Sequence, residues 1–168
     1  LASAFAFEGV RRVDVVADSS GAALALSALL ARRDLGLPLP TSCVLISALT
    51  DMAMTGLSHV ANSEADPMFG PGAIIHKAWH YLQGANPTDP RASPYWGDLA
   101  GLPRMLMFVG STEIMLDDTL RFARKVEEAG GTARTEVYED APHDFPLVPH
   151  FPEAKAALEE MIHFLSED

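Results

Sequence analysis

The stretch VDVVADSSG at residues 13–21 decides the fold of this chain, because an apolar run passes into a helical pattern across one serine. The apolar run predicts a β-strand, and the alanine- and leucine-rich residues 22–31 predict a helix. A strand, a sharp turn and a helix in this order lift the hydroxyl of Ser19 above the carboxyl edge of a sheet, with the helix N-terminus aimed at it. We expect Ala17 and Gly21 to be small because strand and helix nearly touch there.

Length and composition narrow the class of protein. The 168 residues include 48% apolar side chains, which predicts one compact domain over residues 1–168 with a buried core. Twelve Lys and Arg stand against 23 Asp and Glu, for a net charge of −11. Because the basic residues do not cluster beyond pairs such as Arg11 and Arg12, a phosphate backbone has little to bind, and we expect no nucleic-acid partner.

The compartment is predicted from cysteine content and hydropathy. The single cysteine, Cys43, lies inside an apolar run and cannot form an internal disulfide, so we expect it to pack as a small hydrophobic residue. No apolar stretch reaches the roughly 18 residues of a membrane span, and the first residues lack the pattern of a signal peptide. These features predict a cytoplasmic protein without a membrane span.

Strand-like and helix-like runs alternate along the chain, which predicts an α/β fold with a mostly parallel sheet of about four strands flanked by helices. The strands are predicted at Val13–Ala17, Ser42–Ser47, Met105–Val109 and Ala133–Tyr138. The helices are predicted at Ser20–Arg33, Gly72–Leu82, Leu116–Ala129 and Pro152–Leu165. The middle two strands are nearly all apolar, as in strands covered on both faces, and the last alternates as an edge strand does.

The first predicted strand leaves one flank of such a sheet without a partner. A strand that ends in a nucleophilic serine normally lies in the middle of its sheet, so we expect something further to cover this flank. Two long irregular segments, 48–71 and 84–104, are rich in Pro, Gly, Asp and Asn, and segments this long in a compact domain are often functional.

A serine at neutral pH needs a histidine to accept its proton and an acid to orient that histidine. His143 is the best candidate base, because it follows the last predicted strand in a loop that can reach back over the sheet edge. His76 and His80 share a helix face, but no third ligand accompanies them, so we expect no metal site.

The orienting acid is expected after the third strand, where three carboxylates follow one another. Glu113 comes first in the loop at the carboxyl end of that strand and is the preferred acid. Asp117 is the alternative, although it and Asp118 fall near the first helical turn, where they would equally serve as helix caps. The order serine, acid, histidine is the order of α/β-hydrolases.

At this point the chain resembles a known family. It is similar to the C-terminal half of an α/β-hydrolase of the hormone-sensitive-lipase-like (family IV) esterases, over nearly all of its length. The resemblance lies in the segments 17–21, 46–51, 89–94, 102–103 and 110–118. It implies Ser19 as the nucleophile, His143 as the general base and then acid, Glu113 as the orienting acid, and the Ser20 amide as an oxyanion donor. It implies no cofactor.

The chain departs from that family in several places. Ala17 stands where glycine is usual, Glu113 stands where Asp is commoner, and Asp144 stands where glycine is usual, with a charge that favours protonation of the neighbouring histidine. The family's His-Gly-Gly-Gly oxyanion segment has no match. The resemblance therefore predicts a truncated carboxylic-ester hydrolase, lacking the first strands and the lid, that acts on small-molecule esters.

Two further interpretations remain open. The open flank predicts either a homo-oligomer or a missing N-terminal half that covers it. Because the oxyanion donors are incomplete, the alternative to an enzyme is a non-catalytic module of the same fold that binds a small ligand or a partner.

Overall fold

The computed structural model describes residues 1–167, in which four parallel strands form one sheet. The strands are β1 (Asp14–Asp18), β2 (Ser42–Ile46), β3 (Arg104–Gly110) and β4 (Ala133–Tyr138), in the spatial order β1-β2-β3-β4. All three pairings are parallel. The predicted fold class is confirmed, and each predicted strand overlaps an observed one with its ends shifted by no more than one residue.

Within the described part of the chain, six helices accompany the sheet. They are α1 (Ala2–Ala6), α2 (Ser19–Asp34), α3 (Ser58–Ala61), α4 (Ala73–Leu82), α5 (Leu116–Glu128) and α6 (Pro152–Ser166). The four long helices match the predictions, whereas α1, α3 and the 3₁₀ turns at Pro94–Trp96 and Phe145–Leu147 were not predicted. Such short helices carry little periodicity, because one or two turns give no repeat to detect. No helix within residues 1–167 is both long enough and apolar enough to cross a bilayer.

Helices cover both faces of the sheet, so β2 and β3 are buried on both sides. On one face Leu45 and Met107 pack with side chains of α2 and α5. On the other face Val44 and Phe108 pack with α6. Alternate side chains of each strand therefore enter different cores. Cys43 is one of these core residues and is fully buried, as predicted.

The two edges of the sheet differ. As predicted, β4 is an edge strand, with α5 packed beside it. β1 forms the opposite edge, and within residues 1–167 no strand pairs with its outer side, where Val16 is 54% exposed. The predicted open flank is therefore present.

The parallel arrangement places the carboxyl ends of all four strands at one edge of the sheet. The segments that follow β1, β2, β3 and β4 begin at Ser19, Ser47, Ser111 and Glu139. Because these segments start side by side, residues far apart in sequence converge there.

Candidate active site

The turn after β1 gives Ser19 an unusual backbone conformation. Ser19 is the first residue of α2 and has a φ of 48°, in the left-handed region that non-glycine residues rarely adopt. Its carbonyl oxygen accepts a hydrogen bond from the amide of Leu49, at 3.1 Å, which fixes the turn to the segment after β2. Backbone strain of this kind persists where surrounding contacts enforce it, and it occurs often at functional sites.

The expected close packing at Gly21 is not observed among the described residues. A Cβ built at Gly21 would meet only Asp18 Oδ1, at 3.8 Å, which is an ordinary van der Waals distance. The glycine is therefore not required there by contact between β1 and α2.

Three side chains form one line of hydrogen bonds at the carboxyl edge. Ser19 Oγ lies 2.9 Å from His143 Nε2, and His143 Nδ1 lies 2.7 Å from Glu113 Oε2. The side chains of His143 and Glu113 are 1% and 0% exposed. With the Nδ1 proton donated to the carboxylate, Nε2 is left to accept the proton of the serine hydroxyl. The structure thus brings together the serine, base and acid that the sequence indicated.

The other carboxylate oxygen of the acid is also occupied. Glu113 Oε1 accepts a hydrogen bond from the Gly110 amide, at 2.6 Å, and one from Ser47 Oγ, at 2.9 Å. The longer arm of glutamate is accommodated because the side chain folds back towards the end of its own strand. Oε2 is then left to face the imidazole.

The loop of the acid and the loop of the histidine touch backbone to backbone. A Cβ built at Gly110 would lie 1.9 Å from the carbonyl oxygen of Ala141. The same oxygen accepts a hydrogen bond from Thr112 Oγ1, at 2.8 Å. Only glycine permits this approach, and the approach keeps His143 within reach of Glu113.

The alternative acid, Asp117, lies elsewhere. Its Oδ2 accepts a hydrogen bond from the backbone amide of Ser58, at 3.0 Å, so it caps the start of α3 and does not bond to His143. Its neighbour Asp118 is buried and contacts His59, with 2.8 Å between Oδ1 and Nε2. The preference for Glu113 agrees with this geometry.

A second carboxylate acts on the imidazole. Asp144 Oδ2 lies 3.2 Å from His143 Nε2, the nitrogen that also faces Ser19. Burial by itself lowers the pKa of His143, but the hydrogen bonds and charges of Asp144 and Glu113 outweigh it and raise the pKa from 6.5 to about 9. The surroundings of His143 therefore stabilise its protonated form relative to that of a free histidine.

Comparison with known families now identifies the fold family. Residues 5–147 match the family described as alpha/beta hydrolase fold. The chain belongs to this family. The assignment agrees with the parallel sheet, with the strained serine after β1 and with the chain order of the three aligned side chains.

Relatives of this chain include an acetyl-hydrolase and an esterase. It is 40% identical over 159 residues to an acetyl-hydrolase of Streptomyces hygroscopicus, covering 92% of this chain and 52% of that protein. It is 35% identical over 161 residues to an esterase of Acinetobacter venetianus, covering 94% of this chain and 53% of that protein. The chain therefore spans about half the length of the curated relatives that it matches.

Solved structures of esterases are also similar to this chain. An esterase from the bacterial hormone-sensitive lipase family superposes with a TM-score of 0.87 at 38% identity, covering 90% of this chain and 52% of that one. An esterase/lipase from an uncultured bacterium superposes with a TM-score of 0.85 at 38% identity, covering 90% and 51%. The resemblance to hormone-sensitive-lipase-like esterases is confirmed.

Two mostly apolar cavities lie on the serine side of the molecule. A cavity of about 270 Å³ is lined by Ser19 and Ser20 of α2 and by Lys77 and Tyr81 of α4. A cavity of about 430 Å³ lies beyond it, between α4 and the segments on either side of it, and the two share Met52 and Ala78 in their walls. The two apolar cavities therefore adjoin one another across Met52 and Ala78.

Some residues that support the site were missed in the sequence. Ser47 donates a hydrogen bond to Glu113 and has a φ of 47°. Its position directly after β2 is the signal that could have identified it as a residue of this edge. Phe69 contacts the His143 ring edge-on, with 4.8 Å between centroids. Asp66 Oδ2 accepts a hydrogen bond from the Ile114 amide, at 2.9 Å, next to the acid. Phe69 and Asp66 lie in an irregular segment, where no local pattern indicates a long-range contact.

The two histidines of α4 lie at the surface. His76 and His80 are both exposed, and within residues 1–167 no group of three His, Cys, Asp or Glu side chains is arranged to hold a metal ion.

Proposed function

We propose that this chain carries the catalytic triad of a carboxylic-ester hydrolase, with Ser19 as the nucleophile, His143 as the general base and acid, and Glu113 as the orienting acid. The line of hydrogen bonds from Ser19 Oγ through the imidazole to Glu113 Oε2 is the observation that carries this proposal. It is the arrangement that activates a serine for acyl transfer. The names of the relatives, esterase and acetyl-hydrolase, support the same class of reaction.

The reaction proceeds through an acyl-enzyme. As Ser19 Oγ attacks the ester carbonyl carbon, its proton passes to His143 Nε2 and the carbonyl oxygen becomes an oxyanion. Collapse of this intermediate breaks the bond to the alcohol oxygen, which takes the proton from Nε2. A water molecule then gives a proton to Nε2 and attacks the acyl carbon. The second collapse returns the proton to Ser19 and releases the carboxylic acid.

The oxyanion needs donors near the serine. The amide of Ser20 is our candidate, because it lies in the first turn of α2, where backbone N–H groups have no intrahelical acceptor. We also propose that a second amide comes from residues other than those of this chain, since no His-Gly-Gly-Gly segment occurs in it. Loss of one such donor typically costs about 10²–10³ in rate.

The cavities favour esters with an apolar acyl or alcohol group. Most of the lining next to Ser19 is apolar, and the second cavity extends the same surface. The open edge of β1 is a candidate surface for a second copy or for an N-terminal half. A cytoplasmic location stays a prediction.

The test uses the full-length gene product that contains this chain and a fluorophosphonate that labels activated serines. We expect labelling at Ser19, identified by peptide mass spectrometry, together with hydrolysis of p-nitrophenyl butyrate. S19A should abolish both, H143A should suppress both, and S20A should retain both, because Ser20 contributes its amide. A folded protein that binds small esters but is neither labelled nor active would overturn the proposal in favour of the non-catalytic module.

A further inference from the structure

The residue after the catalytic histidine has no place in the reaction described above. Asp144 has a φ of 57°, in the left-handed region, and its amide donates a hydrogen bond to Ser47 Oγ, at 3.0 Å. This hydrogen bond fixes the backbone of Asp144, from which its side chain extends. Its Oδ2 lies 3.2 Å from His143 Nε2, and its Oδ1 is buried without a hydrogen-bond partner among the described residues.

One nitrogen therefore faces two oxygens. His143 Nε2 lies 2.9 Å from Ser19 Oγ and 3.2 Å from Asp144 Oδ2. In the neutral imidazole Nε2 carries a lone pair, which accepts the serine proton and is repelled by the carboxylate. In the protonated imidazole Nε2 carries a proton, which the carboxylate attracts more strongly than the serine oxygen does. Asp144 therefore favours the form of His143 that cannot accept the proton of Ser19.

We propose that Asp144 is a positioning residue of the hydrolase, which holds the Nε2 proton of His143 in the free enzyme and so sets the pH at which Ser19 becomes activated. This inference rests on the proposed function. The carboxylate acts through His143 and does not take part in bond making or breaking.

The other groups that face His143 do not replace this effect. Glu113 bonds to Nδ1, the opposite nitrogen, and is needed in both protonation states. Ser19 is neutral. From α4, Lys77 reaches the ring only through Phe69, with its Nζ 4.9 Å from that centroid, and its positive charge opposes protonation. Burial lowers the pKa of His143. Hydrogen bonding and charge from Asp144 and Glu113 raise it by more, so that the pKa lies at about 9.

Asp144 should have two opposite effects on kcat/KM: it narrows the active pH range and raises the plateau value. Because the free enzyme must lose the Nε2 proton before attack, Asp144 moves the acid limb of kcat/KM to higher pH. Because attack creates an imidazolium, the same carboxylate stabilises the transition state once that proton is gone. Removal of the charge should therefore raise relative activity at low pH and lower the plateau at high pH.

The experiment measures kcat/KM for p-nitrophenyl butyrate from pH 5 to 10 in the full-length protein. D144N keeps the shape of the side chain without its charge, and D144G suits the left-handed backbone. The matched control is D140N: Asp140 lies in the same loop with a φ of 54°, but it is exposed. We expect both Asp144 variants to move the acid limb at least about one pH unit lower, so that kcat/KM at pH 6 relative to the plateau rises about tenfold or more.

Two results would overturn the inference. One is an acid limb that stays in place in D144N and D144G while Ser19 is still labelled and H143A is still inactive. The other is a limb that moves as far in D140N as in D144N, since that would make the effect one of net charge in the loop. In both cases the proposed function stands, whereas absence of Ser19 labelling in the wild-type protein would remove that function itself.

Discussion

Two buried carboxylate–imidazole pairs lie at the same end of the sheet, and only one of them faces a serine. In one pair Glu113 contacts His143 at 2.7 Å, and in the other Asp118 contacts His59 at 2.8 Å. The two acids are close in sequence, and the side chains of both pairs are at most 5% exposed. A short acid–histidine contact is therefore not enough to define a catalytic site.

The difference lies in the remaining ring nitrogen and in what else each carboxylate binds. His143 Nε2 faces the hydroxyl of Ser19, whereas His59 Nδ1 is buried with no hydrogen-bond partner among the described residues. Asp118 Oδ2 accepts hydrogen bonds from the amides of Thr50 and Asp51, at 2.7 and 2.9 Å. The Asp118–His59 pair thus ties the segment after β2 to the start of α5, whereas the Glu113–His143 pair contacts Ser19.

Replacing each histidine by alanine gives the largest contrast. H143A removes the proposed base, so kcat/KM for p-nitrophenyl butyrate should fall by about 10⁴-fold or more. H59A leaves His143 in place but removes the partner of Asp118 Oδ1, so it should lower the free energy of unfolding by roughly 1–3 kcal/mol and keep kcat/KM within about tenfold of wild type. Initial rates of ester hydrolysis measure kcat/KM, and urea unfolding measures the free energy of unfolding. An H59A protein that is folded but as inactive as H143A would show that the second pair also belongs to the catalytic machinery.

Replacing a glycine near each pair by alanine should give the next largest difference in stability and activity. Alanine at Gly110 places a Cβ 1.9 Å from the Ala141 carbonyl oxygen, so the histidine loop must move. We expect G110A to lose about 3 kcal/mol or more of stability, and kcat/KM to fall at least about hundredfold because the base is displaced.

Gly56, beneath the second pair, is the control. A Cβ there would lie 2.9 Å from Asp117 Cβ, a smaller overlap than the 1.9 Å at Gly110, so G56A should cost less stability than G110A and leave kcat/KM within about tenfold. Thermal melting and the ester assay report both quantities. Equal activity in G110A and wild type would refute the role assigned to the backbone contact.

The sequence predicted one of the two pairs because the signals are local for one and long-range for the other. Strand periodicity placed Ser19 directly after β1 and placed Glu113 and His143 in the loops after β3 and β4, and parallel strands bring those ends together. The choice of Glu113 over Asp117 could be made because α5 begins at Leu116, which leaves Glu113 in the loop and puts Asp117 in the first helical turn.

The Asp118–His59 pair had no comparable signal. His59 lies at α3, a helix of four residues without measurable periodicity, and its partner is 59 residues away in sequence. The approach of Gly110 to Ala141 and the second carboxylate on Nε2 likewise depend on how two loops meet. Periodicity predicts elements, but it does not predict the distance between two irregular segments.

The second carboxylate on His143 makes stability depend on pH in a defined direction. Because the folded pKa of about 9 exceeds the ordinary 6.5, His143 contributes stability fully below about pH 6.5 and loses that contribution as pH rises towards 9. The free energy of unfolding of the wild type minus that of H143Q should therefore shrink between pH 6.5 and 9, by on the order of 1–3 kcal/mol. Urea unfolding at several pH values measures this difference and cancels the groups common to both proteins. A difference that grows with pH would contradict the sign.

Removing one hydroxyl from each network should give the smallest contrast. Ser47 Oγ donates to Glu113 Oε1 and accepts from the Asp144 amide, so it joins the acid to the histidine loop. Thr50 Oγ1 donates to the backbone oxygen of Asp118, at 3.1 Å, in the other network. Both residues are fully buried, so S47A and T50V should each cost about 1 kcal/mol of stability.

Activity should separate these two variants. S47A leaves Glu113 Oε1 with the Gly110 amide alone and frees the backbone at Asp144, so the imidazole loses part of its alignment and kcat should fall about tenfold with KM little changed. The Thr50 hydroxyl bonds to the backbone of Asp118 and not to Ser19, His143 or Glu113, so T50V should keep kcat near that of wild type. Equal losses of stability and of kcat in S47A and T50V would contradict this expectation. The two hydroxyls would then both support the fold alone, and Ser47 would have no separate role in aligning the imidazole.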